Sequence, residues 1–243
     1  MANTSSETAD KALCMSIETA VRQYYKVSDC QADLEDRTVN IVFQIPEHKH
    51  IVDSICPDIV YAEKDIAPVT LNMASLPRKI VRISRVLLDQ FLAEIRLADD
   101  FARWKRRRNH IMEGIIKKRF RDYIEVDLNG KTALLTKRNW VQKEMFLYEP
   151  GRVLFFHIYS VTLNNDNLSM VLSRRSKLLP QLLLKSHLPM YRFYCRRRFP
   201  GEKSRILTDA PIRDSKIIEV RDRVSRELSG EILEMRNSDG FNK

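Results

Sequence analysis

Along the first part of the chain, apolar side chains return every three to four positions. Over residues 8–25, Leu13, Ile17, Ala20, Val21 and Tyr24 make one stripe, which predicts a helix. Val39, Ile41, Phe43 and Ile45 then alternate with polar residues. That is the pattern of a half-buried strand, entered through a turn at Glu35-Asp36-Arg37 and closed by Pro46. Residues 51–61 read as a second extended stretch interrupted by Pro57. From Pro77 a helical period is held by Ile80, Ile83, Leu87, Phe91, Ile95, Ala98, Phe101 and Trp104, with no proline or glycine before Gly114. Proline suits a first helical turn, where its missing N–H would have no partner. About thirty residues rising 1.5 Å each make a helix of about 45 Å.

After Asn109 the period shortens to two. Residues 111–120 and 123–128 predict strands, and Asn129-Gly130 supplies the positive φ angles of a tight hairpin into 131–135. A loop or short helix over 137–149 and a turn at Pro150-Gly151 lead to a second hairpin, 153–162 with 168–173. Five short strands in about 65 residues, with a break after the third, have the layout of an OB-type barrel. Beyond it the pattern predicts a helix over 178–184, a strand over 191–198, a turn at Pro200-Gly201 and a pairing strand around Arg205–Leu207. A helix over 215–228 carries Ile217, Val220, Val224 and Leu228 on one face, and a strand over 231–235 closes the unit. The expected fold class is α+β in three modules: an α/β unit over 1–108 ending in the long helix, a barrel over 109–176, and a small α/β unit over 177–243.

Charge separates these modules. Residues 1–100 hold 11 Lys and Arg against 16 Asp and Glu, residues 101–200 hold 22 against 7, and residues 201–243 hold nine of each. A basic block of this size points to a polyphosphate partner, because each neutralised phosphate releases condensed counterions; a solvated basic surface kept for solubility is the alternative. At the end of the long helix, Lys105-Arg106-Arg107-Arg108 match the helix dipole. Four consecutive cations exceed that need, so RNA contact by Arg106, Arg107 and Arg108 stands beside a solvated helix end. Other candidate RNA contacts are Lys117, Lys118, Arg119, Arg121 and Tyr123 on the first barrel hairpin, Arg174 and Arg175 where the barrel closes, and Arg196 and Arg198, which strict alternation places on the side opposite Arg197.

Other chemistry is hard to find. No apolar run approaches the ~18 residues of a membrane span, and the first residues lack the layout of a secretory signal, so a cytoplasmic protein is expected. The four cysteines, Cys14, Cys30, Cys56 and Cys195, form no CxxC pair. His48-Lys49-His50 has no evident third ligand, and no carboxylate pair, Ser–His–Asp layout or Walker motif is visible. The expectation is a non-enzymatic protein with no cofactor, metal, small-molecule substrate or membrane partner.

Several of these residues resemble bacterial NusA across nearly the whole chain. Gly114, Val126-Asp127-Leu128, Pro150-Gly151-Arg152 and Leu172-Ser173-Arg174 look like the landmarks of an S1 domain. The long helix entering the first barrel strand is similar to the NusA linker helix. Leu182 through Pro189, then Arg198-Phe199-Pro200-Gly201-Glu202-Lys203-Ser204-Arg205-Ile206, resemble the passage from S1 into the first KH domain, and Arg226–Glu231 fall near its end. There are departures. The KH loop GxxG, whose glycines let phosphate approach the backbone, aligns with Ser215-Lys216-Ile217-Ile218; a second KH domain is absent; and the usual S1 stacking positions hold Asp122 and Glu125, with Phe120 and Tyr123 close by. The resemblance implies a transcription factor acting on pausing, termination or antitermination. It would dock on RNA polymerase through 1–108 and meet nascent RNA with its basic modules. A ribosome- or translation-associated S1-type protein, or a protein-interaction scaffold that has lost RNA binding, are the alternatives.

Overall fold

A computed structural model describes residues 3–45, 47–57, 66–164 and 167–237. The fold is mixed α+β with three sheets, and the chain divides into two compact units, Met1–Ala98 and Asp99–Lys243. Among the described residues, no helix is long and apolar enough to cross a membrane.

In the first unit, helix α1 (Asn3–Tyr25) turns Ala12, Ile17, Ala20, Val21 and Tyr25 inward. They meet an antiparallel sheet of β1 (Asp29–Asp33), β2 (Thr38–Gln44) and β3 (Ile66–Asn72), in that order. The central strand buries Val39, Ile41 and Phe43 as its alternation requires. The Asp33 carboxylate accepts from the amides of Glu35 and Asp36, which shapes the turn into β2. The stretch read as extended from residue 51 is instead helical: α2 spans Lys49–Ile55. Ile51, Val52 and Ile55 are spaced for one helix face, and Val52 is fully buried; residues 58–61 of that reading lie outside the described residues. His48, just before α2, is buried with its Nδ1 3.0 Å from the Gln44 carbonyl.

Helix α3 runs unbroken over Arg78–Arg106. Ile80 belongs to the core of the first unit, whereas Phe101 and Trp104 belong to that of the second. Asp100 receives the Lys131 ammonium at 2.6 Å and Arg103 at 2.5 Å. The last turns of α3 are thus part of the structure that follows.

That structure begins with β4 (Ile111–Arg119), β5 (Tyr123–Leu128), β6 (Lys131–Thr136), β7 (Val153–Asn164) and β8 (Asn167–Ser173). They close into a barrel in the order β4-β5-β6-β8-β7. Only the β6–β8 contact is parallel, and it spans two residue pairs, Leu134 with Val171 and Leu135 with Leu172. Asn129 and Gly130 take φ of 50° and 84°, the backbone that a two-residue turn between β5 and β6 needs. Inward residues Ile116, Ile124, Val126, Leu128, Leu135, Phe156, Ile158, Met170 and Leu172 fill the interior. Gly114 lets β4 lie close to β5: a Cβ there would come within 2.6 Å of Val126 Cγ1.

The chain then adds α4 (Leu178–His187), β9 (Phe193–Phe199), β10 (Lys203–Thr208), α5 (Ser215–Glu227) and β11 (Ile232–Asn237). The sheet order is β11-β10-β9, with β10 parallel to β11 and antiparallel to β9. Leu179, Leu183, Ile217 and Val224 from the helices pack with Phe193, Cys195, Ile206 and Leu233 of one sheet face.

Candidate nucleic-acid interface

The first barrel hairpin carries cations and two aromatic rings, as alternation suggests, with one irregularity. Ile116 pairs with Val126 but Lys118 pairs with Glu125, so Lys117 is an extra residue in β4. Its ammonium lies 3.2 Å from Asp127. Phe120 and Tyr123 stack with ring centroids 4.6 Å apart and 24° between planes, and the Lys118 ammonium lies 4.8 Å from the Phe120 centroid. Arg119 leans over Trp140 and donates to the Met145 carbonyl at 3.3 Å, while Arg121 is exposed. Asp122, Glu125 and Asp127 share this hairpin. A phosphate approaching it meets carboxylates among the cations.

At the end of α3, Arg106 and Arg108 are exposed. The Arg107 guanidinium lies 5.2 Å from the Trp104 ring centroid and reaches the Met112 sulfur. Arg175 is also exposed.

Two residues expected to meet RNA are buried instead. The Arg174 side chain has no exposed surface, and each of its five N–H donors is taken. Nε and Nη2 donate to the two Glu144 carboxylate oxygens at 2.7 Å. Nη1 reaches the Phe155 carbonyl at 2.7 Å and the Glu227 carboxylate at 3.0 Å, and Nη2 reaches the Glu227 carbonyl at 2.8 Å. No donor is left for a phosphate. Burial alone would lower the guanidinium pKa, but the Glu144 carboxylate beside it raises it above the ordinary arginine value. Tyr148 donates to Glu144 at 2.9 Å, and burial raises its phenol far above the usual range.

Arg198 is spent in the same way. Its side chain is 1% exposed and chelates Glu231, itself fully buried, through Nε and Nη2. Nη1 donates to the carbonyls of Arg174 and Ser176 at 2.8 and 2.6 Å. Glu231 also accepts from Gly201 N and Ser204 Oγ. Arg174 and Arg198 are therefore a buried joint between the barrel and the final sheet. Single removal of a partner from such a joint strands a buried charge.

A β-bulge explains why the alternation rule misplaced these arginines. Arg205 of β10 pairs with Arg197, yet Ile206 pairs with Cys195, which leaves Arg196 extra in β9. The phase slips by one residue. Cys195 and Arg198 point inward, and both Arg196 and Arg197 emerge on the open side, where they share a groove with Arg205 and Arg236. Arg197, set aside from sequence, and Tyr194, Phe199, Lys203, Arg205 and Arg236, not singled out at all, occupy this face. The alternation of Lys203 and Arg205 with Ser204 and Ile206 was the signal available for them.

The segment aligned with the KH clamp, Ser215–Ile218, forms the first turn of α5. Asp214 caps that turn, its carboxylate accepting from Lys216 N at 2.8 Å. The helix end that could draw a phosphate already holds a carboxylate.

Among the described residues, no three His, Cys, Asp or Glu side chains gather as a metal site. His157 is buried in the barrel with both ring nitrogens lacking a hydrogen-bond partner, and burial, then His110, pushes its pKa down to about 4. Compared with known protein families and with curated proteins, the chain matches no family model and no curated sequence at a significant level.

Proposed function

We propose that the chain is a NusA-like transcription factor that docks on RNA polymerase through residues 1–108 and meets nascent RNA with the basic modules that follow. The reading makes 109–176 an S1 barrel of OB type and 177–243 a shortened KH-like unit. One observation carries it: the Asp99–Lys243 unit holds a closed barrel ordered first-second-third-fifth-fourth, entered from a 29-residue helix and followed by a β-β-α-β unit. Helix, barrel and β-β-α-β unit follow one another in the order of NusA's linker, S1 and KH modules. The charge step supports it too, since acidic residues exceed basic ones up to residue 100 and basic residues dominate the next hundred. Docking would raise the effective concentration of a weak RNA surface near the transcript. Location, more than base reading, would then set specificity. The test is copurification from a bacterial host: recovery of polymerase with the tagged chain is expected, and recovery with ribosomal subunits and no polymerase rejects the proposal.

A second reading, a protein-interaction scaffold without RNA binding, is favoured by the Asp214 carboxylate at the clamp position and by the ion-paired barrel cations. RNA affinity across a salt series separates the two, because a phosphate-driven binder weakens steeply as salt rises.

A further inference from the structure

We propose that the open face of the β9–β10–β11 sheet is a platform for single-stranded RNA. The helices α4 and α5 cover the other face with apolar side chains. On the open face the strand register sets out three rows: Phe199, Lys203 and Ile232; Arg197, Arg205 and Glu234; Tyr194, Leu207 and Arg236. Rows lie about 7 Å apart along the strands and neighbours within a row about 4.8 Å apart. The bulge adds Arg196 between the last two rows, and the Lys177 ammonium stands 5.1 Å from the Tyr194 ring centroid.

Two properties select the partner. The first is charge: Lys177, Arg196, Arg197, Lys203, Arg205 and Arg236 face a single carboxylate in the grid, Glu234. That carboxylate is shared by Arg205 at 3.1 Å and Lys203 at 3.6 Å, and its pKa is lowered, first by the Arg205 hydrogen bond. Most of the positive charge is therefore uncompensated, unlike that of the barrel hairpin. The second is the interleaving of rings. Tyr194 is 48% and Phe199 36% exposed, and Arg197 lies 4.5 Å from the Phe199 centroid. Exposed rings among arginines suit unpaired bases, which stack, and their phosphates, which are neutralised. Duplexes hide their base faces, and an acidic peptide offers no row of rings. The groove between Arg196, Arg197, Arg205 and Arg236 is about 370 Å³ in volume.

This surface fixes where in 177–243 the RNA contact of the proposed function is made and rests on that part of the reading, but it needs neither polymerase nor the barrel. The experiment uses the full chain and a short fluorescein-labelled oligo-uridine, with anisotropy read from about 50 to about 300 mM salt. R196Q/R197Q changes two exposed side chains and is expected to weaken binding at least about tenfold at the lowest salt. It should also flatten the slope of log affinity against log salt by about 1.4, at about 0.7 per lost phosphate contact. Tyr194→Ala should cost about fivefold or more with the slope unchanged. In parallel, 4-thiouridine cross-links should map to residues 193–199 or 203–208. Wild-type affinity in R196Q/R197Q, cross-links confined to 111–136, or no binding by the parent chain at low salt would each overturn the assignment. Polymerase copurification is read separately on the same variants, so either idea can fail alone.

Discussion

Replacing Arg174 by methionine tests whether the joint between barrel and final sheet is as tightly bonded as its geometry indicates. Methionine fills much of the arginine stem's volume but donates nothing. Glu144, with a side chain 0% exposed, would lose both charge-assisted bonds and keep only the Tyr148 hydroxyl. An ion left alone in such a place costs about 3–5 kcal/mol. The link to Glu227 adds little, since that carboxylate is 27% exposed and water can replace its partner. R174M/E144Q then removes the stranded charge while leaving Tyr148 an acceptor, and should recover about 2 kcal/mol of the loss. The assay is urea unfolding followed by tryptophan fluorescence. Trp104 and Trp140 are the chain's two tryptophans, and both lie in the barrel core, 3% and 7% exposed. The signal therefore reports the unit containing the joint, and an unchanged m-value licenses the comparison. A loss below about 1 kcal/mol in R174M, or a double variant no more stable than the single one, would refute the reasoning.

Other perturbations probe the same unit. His157 stays neutral down to about 4, against 6.5 for the free side chain, so the unfolded chain binds the extra proton between those values. Its contribution is therefore fully present above 6.5 and declines as pH falls towards 4, by about 3 kcal/mol at 1.36 kcal/mol per pH unit. His157→Phe should lose less stability than the parent between neutral and acid pH in urea titrations, and equal losses would contradict the assignment. Gly114→Ala would press a Cβ to 2.7 Å from Leu128 Cδ2 and 3.2 Å from the Asp127 carbonyl, as well as against Val126. A destabilisation of about 1–3 kcal/mol is expected in the same assay. A fragment limited to 109–176 lacks Trp104, Glu227 and Arg198, so its melt should be broad and early, whereas 99–243 should melt cooperatively; a sharp melt for the short piece would show the joint to be dispensable.

How much of this was visible in the sequence differs from element to element. The barrel strands were legible because binary alternation, Asn129-Gly130 and Pro150-Gly151 all act locally. The first unit was less so. Asp-Cys-Gln-Ala-Asp in β1 is too polar to look like a strand and is held by pairing with β2. In β3, Pro68 hides the alternation of Ala67, Val69 and Leu71, a residue tolerated because β3 is an edge strand. Helix α2 was mistaken because seven residues hold too few apolar positions to separate the two periods. Of the interface candidates, Lys117, Lys118 and Arg119 lie on β4 and Arg121 in the turn after it, where the strand pattern placed them. The burial of Arg174 and Arg198 was not legible, because their partners, Glu144 and Glu231, lie 30 and 33 residues away, and no local pattern announces a pairing over that distance.

The extra residue in β9 has a consequence for what this strand can tolerate. Removing Arg196 itself would let odd-even order carry unbroken from Phe199 back to Phe193 with every other side chain on its present face, Phe193, Cys195 and Arg198 inward and Tyr194, Arg197 and Phe199 outward. Flattening the bulge with all seven residues kept would instead set the two ends against each other: Arg198 keeps its place and Cys195 and Phe193 swing out of the core, or those two stay and Arg198 is expelled into water, leaving Glu231 alone. The three adjacent arginines are therefore not interchangeable copies of one another. The middle of the trio faces solvent only because its neighbour breaks step.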